Sequence, residues 1–386
     1  MKSIPYGKQE ISELDIQAVI ETLKSDFLTQ GPKINEFENA FAQYIGCKYA
    51  VAVSNGTAAL HLCALALDVK KGDKVITTPI TFAASANCIQ YCGGEVLFAD
   101  IDAKSFLIDI DKVRALLQSH PKGSIKGIVP VDFAGQALNL EEFKKLAEEY
   151  NLWIIEDACH APGGYFTDSN KHQQKCGNGN FADLSIFSFH PVKHIATGEG
   201  GMITTNSETL YKKLLLLRTH GITKDAQLLE ENHGGWYYEM QTLGYNYRLS
   251  DMQAALGISQ LQRANEGLLK RKEIAKKYDT AFADCLDKIT LPQYTSGHAF
   301  HLYIIQVQDR LGLYNHLRAN NIFTQVHYIP VHTMPYYKSL GVQPTLPVAE
   351  EYYAHCLSLP MFPTISNEEQ DFVIQKIKEF LNFNHQ

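Results

Sequence analysis

Short apolar runs alternate with longer amphipathic stretches between residues 49 and 156, and this alternation most limits what the chain can fold into. The apolar runs predict strands at residues 49–53, 74–78, 95–99, 127–131 and 152–156. The stretches between them have the periodicity of helices, which indicates βαβ units and a largely parallel sheet. Because the strands are apolar almost throughout, helices are expected on both faces of that sheet. The sequence therefore predicts an α/β fold.

Two helices are predicted before the first strand. Residues 11–24 form an amphipathic pattern, and Ser12 and Asp15 have the spacing of a capping box at the start of a helix. Residues 34–45 place apolar side chains on one face, and Gly46 follows at the position where a glycine commonly ends a helix. The chain therefore reaches its first strand from a helical segment.

The pattern changes in the C-terminal half. Residues 219–248 are polar and aromatic and predict a long loop, whereas the pattern of residues 250–278 is strongly helical. Short strands and helices are predicted for the remainder, residues 280–386. Because 386 residues are too many for one small core, two domains are expected. The predicted boundaries are 1–260 for a large domain, with the mainly parallel sheet and the N-terminal helices, and 261–386 for a smaller C-terminal α+β domain.

Composition and charge argue against several functional classes. The formal net charge is −7 and no run of lysine and arginine occurs, so no nucleic-acid partner is expected. No apolar run approaches the ~20 residues that span a bilayer, and the first residues lack the apolar segment of a secretory signal. The eight cysteines are scattered without the spacing of a disulfide framework. The expected location is therefore the reducing cytoplasm, without membrane contact.

The first predicted strand is followed by a turn that has the chemistry of an anion site. Its sequence, SNGTA at residues 54–58, places a glycine between a strand and a helix, where the backbone can approach a ligand closely. The N–H groups of Thr57, Ala58 and Ala59 are predicted to be free at the helix N-terminus, where a phosphate is favoured. A glycine-containing turn before a helix is also common without a ligand, so the turn alone does not establish a site.

Three more polar side chains follow predicted strands. Asp157 comes directly after residues 152–156, Ser188 lies near the end of the apolar run 184–189, and Lys193 lies just beyond that run. Ligands bind beyond the carboxyl ends of parallel strands, where these positions converge. Each also has an ordinary explanation: the carboxylate as a helix cap, the hydroxyl as a satisfied core group and the lysine as a solvated surface residue. Their convergence favours a common ligand.

Pyridoxal phosphate has the chemical groups that these residues would match. The anion site and Ser188 could bind its phosphate, and Lys193 could bond its aldehyde. Asp157 could pair with its protonated ring nitrogen, and this pairing keeps the ring an electron sink. A lysine in water is protonated, with a pKa of about 10.4. Desolvation in a pocket favours the neutral amine that attacks a carbonyl. The sequence therefore predicts an enzyme in which Lys193 is both the covalent tether of the cofactor and a carrier of protons.

The same residues lie in five ordered stretches that resemble a known family. The stretches are SNGTAAL (54–60), TTPITFAASAN (77–87), EDACHAPGG (156–164), FSFHPVKHIATGEGG (187–201) and LGYNYRLSDMQAALG (243–257). In order and spacing they are similar to the nucleotide-sugar aminotransferases of the DegT/DnrJ/EryC1/StrS family. The resemblance implies the aspartate aminotransferase-like fold (fold type I), bound pyridoxal phosphate and a homodimer with shared active sites. Residues 168–179 are longer and more polar than this resemblance leads us to expect and are interpreted as a surface insertion.

The resemblance also implies roles around the cofactor. Lys193 corresponds to the lysine that bonds the aldehyde, and Asp157 to the partner of the ring nitrogen. Phe82 corresponds to the aromatic residue that stacks on the ring, and His160 stands where the family has glutamine or histidine near the ring oxygen. Asn246 corresponds to an asparagine that reaches the phosphate from the second subunit, although an ordinary turn residue is the alternative. The implied cofactor-binding residues are Gly56, Thr57, Ala58, Phe82, Asp157, His160, Ser188, Lys193 and Asn246.

Within the family, the resemblance is strongest to transaminases of pseudaminic acid biosynthesis. It is carried by IPYGKQEI (4–11), DFLTQGP (26–32), FSFHPVKHI (187–195), TQVHYIPVH (324–332) and LSLPMFP (357–363). The implied reaction moves an amino group from L-glutamate to C4 of a UDP-linked 4-keto-6-deoxy-N-acetylhexosamine. The implied substrate-binding residues are Tyr6, Asp26, Phe27, Leu28, Thr29, Gly56, Ser188, Asn246, Gln325, Val326, His327 and Tyr328, and no metal is implied.

Other interpretations of the same residues remain open. The motifs are also compatible with another nucleotide-linked keto sugar, either a different epimer or one with a C3 keto group. A sugar dehydratase with the same cofactor is disfavoured, because relatives of that type have a histidine where Lys193 stands. A nicotinamide-dependent dehydrogenase would need a G-x-G-x-x-G turn after the first strand, which is absent. A zinc protein is disfavoured because structural-zinc spacing is lacking in Cys88-x3-Cys92, Cys159-His160 and His327-x4-His332.

Overall fold

The structure is a computed structural model that describes residues 3–291, 293–341 and 343–383. The strands of these residues, in chain order, are β1 (Tyr49–Val53), β2 (Lys74–Thr77), β3 (Glu95–Phe98), β4 (Ile125–Val129), β5 (Trp153–Asp157), β6 (Tyr165–Thr167), β7 (Gln173–Lys175), β8 (Leu184–Ser188), β9 (Gly201–Thr205), β10 (Ile222–Thr223), β11 (Glu239–Met240), β12 (Ile289–Thr290), β13 (Tyr303–Val307) and β14 (Cys356–Leu359).

The helices of the described residues, in chain order, are α1 (Glu13–Leu23), α2 (Pro32–Ile45), α3 (Gly56–Ala66), α4 (Ala84–Tyr91), α5 (Ile110–Ser119), α6 (Leu140–Tyr150), α7 (Glu208–Arg218), α8 (Asp251–Gln262), α9 (Ala264–Phe282), α10 (Arg310–Ala319), α11 (Pro335–Ser339), α12 (Pro347–His355) and α13 (Asn367–Phe383). Short 3₁₀ turns occupy Phe133–Gly135 and Val331–Thr333. None of the helices in the described ranges combines the length and the apolar content that crossing a bilayer requires.

Seven strands form the central sheet, in the spatial order β1-β9-β8-β5-β4-β2-β3. The pairs β8–β5, β5–β4, β4–β2 and β2–β3 are parallel, whereas β9 runs antiparallel to both of its neighbours. Both faces of the sheet are buried: Ala50 and Ala52 of β1 belong to one core cluster, and Val51 and Val53 belong to another. The predicted α/β fold with a mainly parallel sheet is therefore confirmed.

Both predicted N-terminal helices are present, with the predicted ends. Ser12 caps α1 and forms a reciprocal capping box with Asp15, and α2 ends at Gly46, whose φ of +89° is in the left-handed region that glycine adopts easily. The outer face of α1 is apolar but uncovered in the single chain, since Leu14 is 66 % exposed and Leu23 is 54 % exposed. This face of α1 is therefore available for contact with another molecule.

The structure adds detail to two predictions for the C-terminal half. The segment predicted to be strongly helical, residues 250–278, is helical and consists of two helices, α8 and α9, because the chain leaves helical geometry at Arg263 (φ −104°, ψ 3°). The loop predicted at residues 219–248 contains a short antiparallel pair, β10 with β11. Periodicity continues across a single non-helical residue, so the sequence pattern did not reveal the break.

The surface insertion predicted at residues 168–179 lies only partly on the surface. Residues 169–173, in the hairpin β6–β7, are exposed, but residues 176–178 are buried. Gly177 N–H donates to both carboxylate oxygens of Glu156 at 3.0 Å, and Gly177 O accepts from Thr204 Oγ1 at 2.7 Å. Polar composition indicated exposure, whereas these buried partners satisfy the polar groups inside the protein.

A second, antiparallel sheet of β12, β13 and β14 lies in the C-terminal part. Its core includes Tyr278, Leu313 and Val373, and Ile4 from the other end of the chain joins them. Tyr352, in contrast, packs in the core of the central sheet although it lies late in the sequence. The division into two domains between residues 260 and 261 stays a prediction.

Candidate active site

A cavity of about 640 Å³ opens at the carboxyl ends of β1, β5 and β8. Its volume lies within the range of ~300–1,000 Å³ that is usual for ligand and cofactor sites. The predicted site residues that line it are Tyr6, Gly56, Thr57, Ala58, Phe82, Asp157, His160, Ser188, Lys193, His327 and Tyr328. The structure thus brings the separate strand-end signals into one cavity, as their shared edge of the sheet requires.

The turn between β1 and α3 is built around a side chain that the anion-site prediction did not consider. Asn55 is the N-cap of α3: its Oδ1 accepts from Ala58 N–H at 2.8 Å, and its backbone carbonyl accepts from Ala59 N–H at 3.1 Å. The prediction that three N–H groups are free was therefore wrong, since two of them are engaged. Within the described part of the chain, only Thr57 N–H of these three lacks a partner.

Ser188 lies directly against this turn. A Cβ placed on Gly56 would come within 3.1 Å of Ser188 Cβ and 3.4 Å of Ser188 Oγ, which is tighter than ordinary packing. Glycine at position 56 therefore keeps the turn and the end of β8 close together. The hydroxyl of Ser188 and the free N–H of Thr57 are two donors at the same end of the cavity.

Asp157, the last residue of β5, is 5 % exposed and is held by two donors. Ser85 Oγ donates to its Oδ2 at 2.7 Å, and Cys159 N–H donates to its Oδ1 at 3.1 Å. Ser85 in turn bonds to Thr81 Oγ1 at 2.8 Å. No ion pair involves this carboxylate among the described residues, so it can receive a further charge-bearing donor from the cavity.

Ser85 was missed as a site residue, although it lies inside the motif TTPITFAASAN. It stands at the start of α4, three residues after Phe82, so both side chains face the cavity from one turn. The signal was this short spacing, since the turn from Phe82 to Ser85, in which Ser85 N–H donates to Phe82 O at 3.2 Å, keeps the two residues close together.

Lys193 lies in the loop after β8 and lines the cavity. Its Nζ is 3.4 Å from Nε2 of His301, a residue that the sequence motifs did not mark. Burial lowers the pKa of Lys193 below its ordinary value. A larger share of this lysine is therefore neutral, and able to attack a carbonyl, than of a lysine in water.

Buried histidines surround Lys193. His160 lies with its ring centroid 4.3 Å from that of His301, and His194 lies 5.8 Å from the same ring. Burial lowers the pKa of all three rings well below its ordinary range, and it lowers the pKa of His327 to about 3. These imidazoles are therefore neutral at physiological pH.

The hydrogen bonds of His160 fix its tautomer. Ala134 N–H donates to its Nδ1 at 3.2 Å, so the proton of the neutral ring lies on Nε2. That Nε2–H faces Tyr328 Oη at 3.2 Å and donates to it. His160 and Tyr328 are thereby ordered as a pair on one wall of the cavity.

Several predicted residues do not line the cavity of the single chain. Thr29 pairs with Ser250, next to α8, and Asn246 pairs with Thr219. Gln325 pairs with Ser358 beside β14. The predicted residues that lie outside the cavity wall are Asp26, Phe27, Leu28, Thr29, Asn246, Gln325 and Val326.

The pairs considered for zinc are not gathered into a three-ligand group. Among the described residues, such a group is formed by Asp132, Glu156 and Cys176, whose ligand atoms lie within 4.8 Å of one another in the core. Burial and the neighbouring Glu156 raise the pKa of Asp132, and burial also raises that of Glu156. All eight cysteines are free thiols. A proton held between the two carboxyl groups explains the cluster without a metal.

Curated proteins with similar sequences cover nearly the whole chain. The chain is 40 % identical to the spore coat polysaccharide biosynthesis protein SpsC of Bacillus subtilis, over 98 % of this chain and 97 % of that protein. It is 38 % identical to the UDP-4-amino-4,6-dideoxy-N-acetyl-beta-L-altrosamine transaminase of Campylobacter jejuni, over 96 % of this chain and 95 % of that protein.

Solved structures agree with the fold throughout its length. Helicobacter pylori PseC, an aminotransferase involved in the biosynthesis of pseudoaminic acid, has a TM-score of 0.88 and 31 % identity, over 99 % of this chain and 100 % of PseC. The putative sugar aminotransferase Spr1654 of Streptococcus pneumoniae, in its PLP form, has a TM-score of 0.88 and 30 % identity, over all of both chains (100 %). The fold is therefore that of the fold type I enzymes that depend on pyridoxal phosphate.

A family model provides the remaining comparison. The model of the DegT/DnrJ/EryC1/StrS aminotransferase family matches residues 9–378, which include every strand and all but the last turn of the C-terminal helix. With the relatives and structures above, this match shows the family on sequence and on fold. The chain belongs to the DegT/DnrJ/EryC1/StrS aminotransferase family and is an enzyme of that family.

Proposed function

We propose that this enzyme uses pyridoxal phosphate to transfer an amino group from L-glutamate to C4 of a UDP-linked 4-keto-6-deoxy-N-acetylhexosamine. The proposed sugar is UDP-2-acetamido-2,6-dideoxy-β-L-arabino-hex-4-ulose, in a step of pseudaminic acid biosynthesis. The observation that carries the proposal is that Lys193 and Asp157 line one cavity, with the donors of Thr57 and Ser188 at its edge. The similarity to the Campylobacter transaminase supports the choice of sugar.

The residues of the cavity fit pyridoxal phosphate chemically. Thr57 N–H and the Ser188 hydroxyl would hold the phosphate, and Gly56 lets the backbone approach it. The buried carboxylate of Asp157 would accept the ring N–H, and no ion pair among the described residues competes for this role. Phe82 lines the cavity yet is 62 % exposed, so its ring offers a free face for stacking.

When bound, pyridoxal phosphate supplies an aldehyde that bonds an amine and a ring that withdraws electrons from that amine's carbon. Lys193 would hold the aldehyde covalently until the donor replaces it. The released Lys193 Nζ would then take the proton from Cα of glutamate, since its lowered pKa favours the neutral amine. In the second half of the reaction the same Nζ would return a proton to C4 of the sugar. Asp157 would accept a hydrogen bond from the ring nitrogen and so hold the ring in place.

The sugar nucleotide is proposed to bind beside Tyr6, His327 and Tyr328, which line the same cavity. Asn246 and residues 26–29 lie outside it in the single chain, so we propose that a second subunit supplies them in a homodimer. The uncovered apolar face of α1 supports this assembly, because an interface would remove it from water.

The proposal is tested by replacing Lys193 with alanine. Purified Lys193→Ala should bind added pyridoxal phosphate without the near-ultraviolet to violet absorbance of the lysine-bound cofactor, and turnover should fall by at least ~1,000-fold, because nucleophile and proton carrier are lost together. Lys175→Ala is the matched control, since Lys175 Nζ bonds Tyr44 O at the surface and lies outside the cavity wall. Wild-type turnover of Lys193→Ala would refute the assignment.

The sugar is tested with a panel of UDP-linked keto sugars and L-glutamate, with the position of the new amine read by NMR. Amination at C4 of the proposed sugar should be fastest. The 40 % identity to a spore coat polysaccharide protein supports a second candidate, a different nucleotide-linked keto sugar. Preference for another epimer or for a C3 keto group would support that candidate and exclude the first.

A further inference from the structure

His301 touches Lys193, and none of the sequence motifs marks it. Its Nε2 lies 3.4 Å from the Lys193 amine, and the residue is 4 % exposed. We propose that His301 is a positioning residue whose Nε2 accepts a hydrogen bond from Lys193 Nζ and fixes where that amine sits when it is free. The inference rests on the proposed function only in taking Lys193 as the reacting lysine.

The backbone that carries His301 adopts a conformation that needs support from its surroundings. Phe300 has φ of +49°, in the left-handed region, where a bulky aromatic residue is rare. Ala299 N–H donates to Gly135 O at 2.7 Å, and a Cβ on Gly135 would lie only 2.8 Å from Phe300 N. Strained backbone that the surrounding structure holds in place is concentrated at functional sites. The strained conformation of Phe300 accompanies the orientation that places His301 at the cavity.

A buried arginine holds the same turn from α9. Arg271 is 2 % exposed, and its Nη1 donates to the carbonyl oxygens of Phe300 at 3.2 Å and His301 at 3.3 Å. A third bond from the same nitrogen reaches Met361 O at 3.1 Å. The backbone of His301 is therefore fixed from two sides, and its ring has little freedom to leave Lys193.

The ring of His301 has no competing partner. Its Nδ1 is buried and makes no hydrogen bond to any of the described residues, so the bond to Lys193 is the one its side chain makes there. A histidine kept only for packing would be replaceable by an apolar ring without loss. A buried imidazole whose single bond is to the reacting amine indicates a role at that amine.

The charges around the pair decide which atom donates. Burial lowers the pKa of His301 well below its ordinary range, so the ring is neutral and its Nε2 can accept. The protonated amine of Lys193 has donors only, so it donates. The other ionisable groups around the pair are Asp157, Cys159, His160, His194, Arg271 and His327. An acceptor on the amine favours its charged form against the desolvation that opposes it.

The test measures the apparent pKa of Lys193 in the cofactor-free protein, so it does not depend on catalytic turnover. Mass spectrometry follows how fast acetic anhydride labels Lys193 at each pH. The plateau rate at high pH corrects for differences in how accessible the amine is to the reagent. His301→Leu and His301→Asn both remove the acceptor, and each should lower the apparent pKa of Lys193 by about one unit, which is about tenfold faster labelling below that pKa. His301→Gln can place an amide oxygen where Nε2 lies and should stay near the wild type.

His298→Leu is the matched control. His298 Nδ1 accepts from Phe300 N–H at 2.8 Å, so this variant disturbs the same turn without removing the acceptor from Lys193. It should leave the pKa of Lys193 within about 0.3 units of the wild type. An unchanged pKa in folded His301→Leu or His301→Asn, or an equal shift in His298→Leu, overturns the positioning role. Turnover by Lys193→Ala would instead refute the proposed function and leave this measurement standing.

Discussion

Ser85 makes a side-chain hydrogen bond to Asp157, and its removal gives a sharp test of how the cavity holds a cofactor. Ser85 Oγ donates to Asp157 Oδ2 at 2.7 Å, and both residues are buried. The carboxylate would keep one donor, Cys159 N–H at 3.1 Å, after the change Ser85→Ala. With one donor fewer, the carboxylate of Asp157 is held less firmly in the cavity, so its bond to a protonated ring nitrogen weakens.

The size of the effect follows from the geometry. A hydrogen bond to a charged group contributes about 1.5–3 kcal/mol. We take the lower end, about 1.5 kcal/mol, because the bond from Cys159 N–H remains. Since about 1.4 kcal/mol corresponds to a factor of ten in affinity, Ser85→Ala should bind pyridoxal phosphate about tenfold more weakly.

Absorbance titration of the cofactor-free protein with pyridoxal phosphate measures this Kd directly. Ser119→Ala is the matched control, because its hydroxyl bonds only to the neighbouring Leu116 O and His120 Nδ1 at the exposed end of α5, among the described residues. It should leave the Kd unchanged. If Ser85→Ala binds the cofactor as tightly as the wild type while Asp157→Ala loses binding, the hydrogen bond from Ser85 does not support the carboxylate and the reasoning is refuted.

Two further predictions concern stability. Gly177→Ala should lower the free energy of unfolding, measured by urea titration of the cofactor-free protein, by about 3 kcal/mol. The reason is that the new Cβ would clash with the ring of Phe187 and that residue 177 has φ of +82°. A loss below about 0.5 kcal/mol would show that the core adapts to the added methyl group and would contradict the prediction. Burial alone would raise the pKa of Asp15, but hydrogen bonds, first from Ser12 N–H, and the charge of Arg263 bring it below its ordinary value of 3.8. The stability it contributes is therefore present above that value and is lost as the pH falls through the folded pKa. The advantage of wild type over Asp15→Asn should therefore shrink as the pH falls below about 4, and a constant difference would contradict this.

The regular elements near the active site could be predicted because their signals are local. The capping box of Ser12 and Asp15 and the glycine that ends α2 act within a few residues, and both are in the structure. The strands at residues 49–53 and 152–156 were recognisable because a strand buried on both faces must be apolar along its length. The convergence of the strand-end signals followed from topology, since parallel strands end at one edge.

The contacts that tune the site could not be predicted in this way. Asn55 engages two N–H groups that the helix N-terminus alone would have left free, and Ser85 holds Asp157 from another element. The break at Arg263 and the burial of residues 176–178 likewise depend on contacts with residues far away in the chain. Such partners follow no periodic pattern, so only the folded coordinates reveal them.

The sequence by itself determined the alternation of strands and helices, the edge of the sheet where ligands bind, and the residue types that a pyridoxal phosphate enzyme needs. Those features depend on local conformational preference and on which faces must avoid water. The tertiary structure alone decided that His301, more than a hundred residues later in the chain, meets Lys193 at 3.4 Å. That contact arises because a turn at Phe300 is held by Gly135 and Arg271, and hydrogen bonds between distant segments leave no trace in the order of the residues.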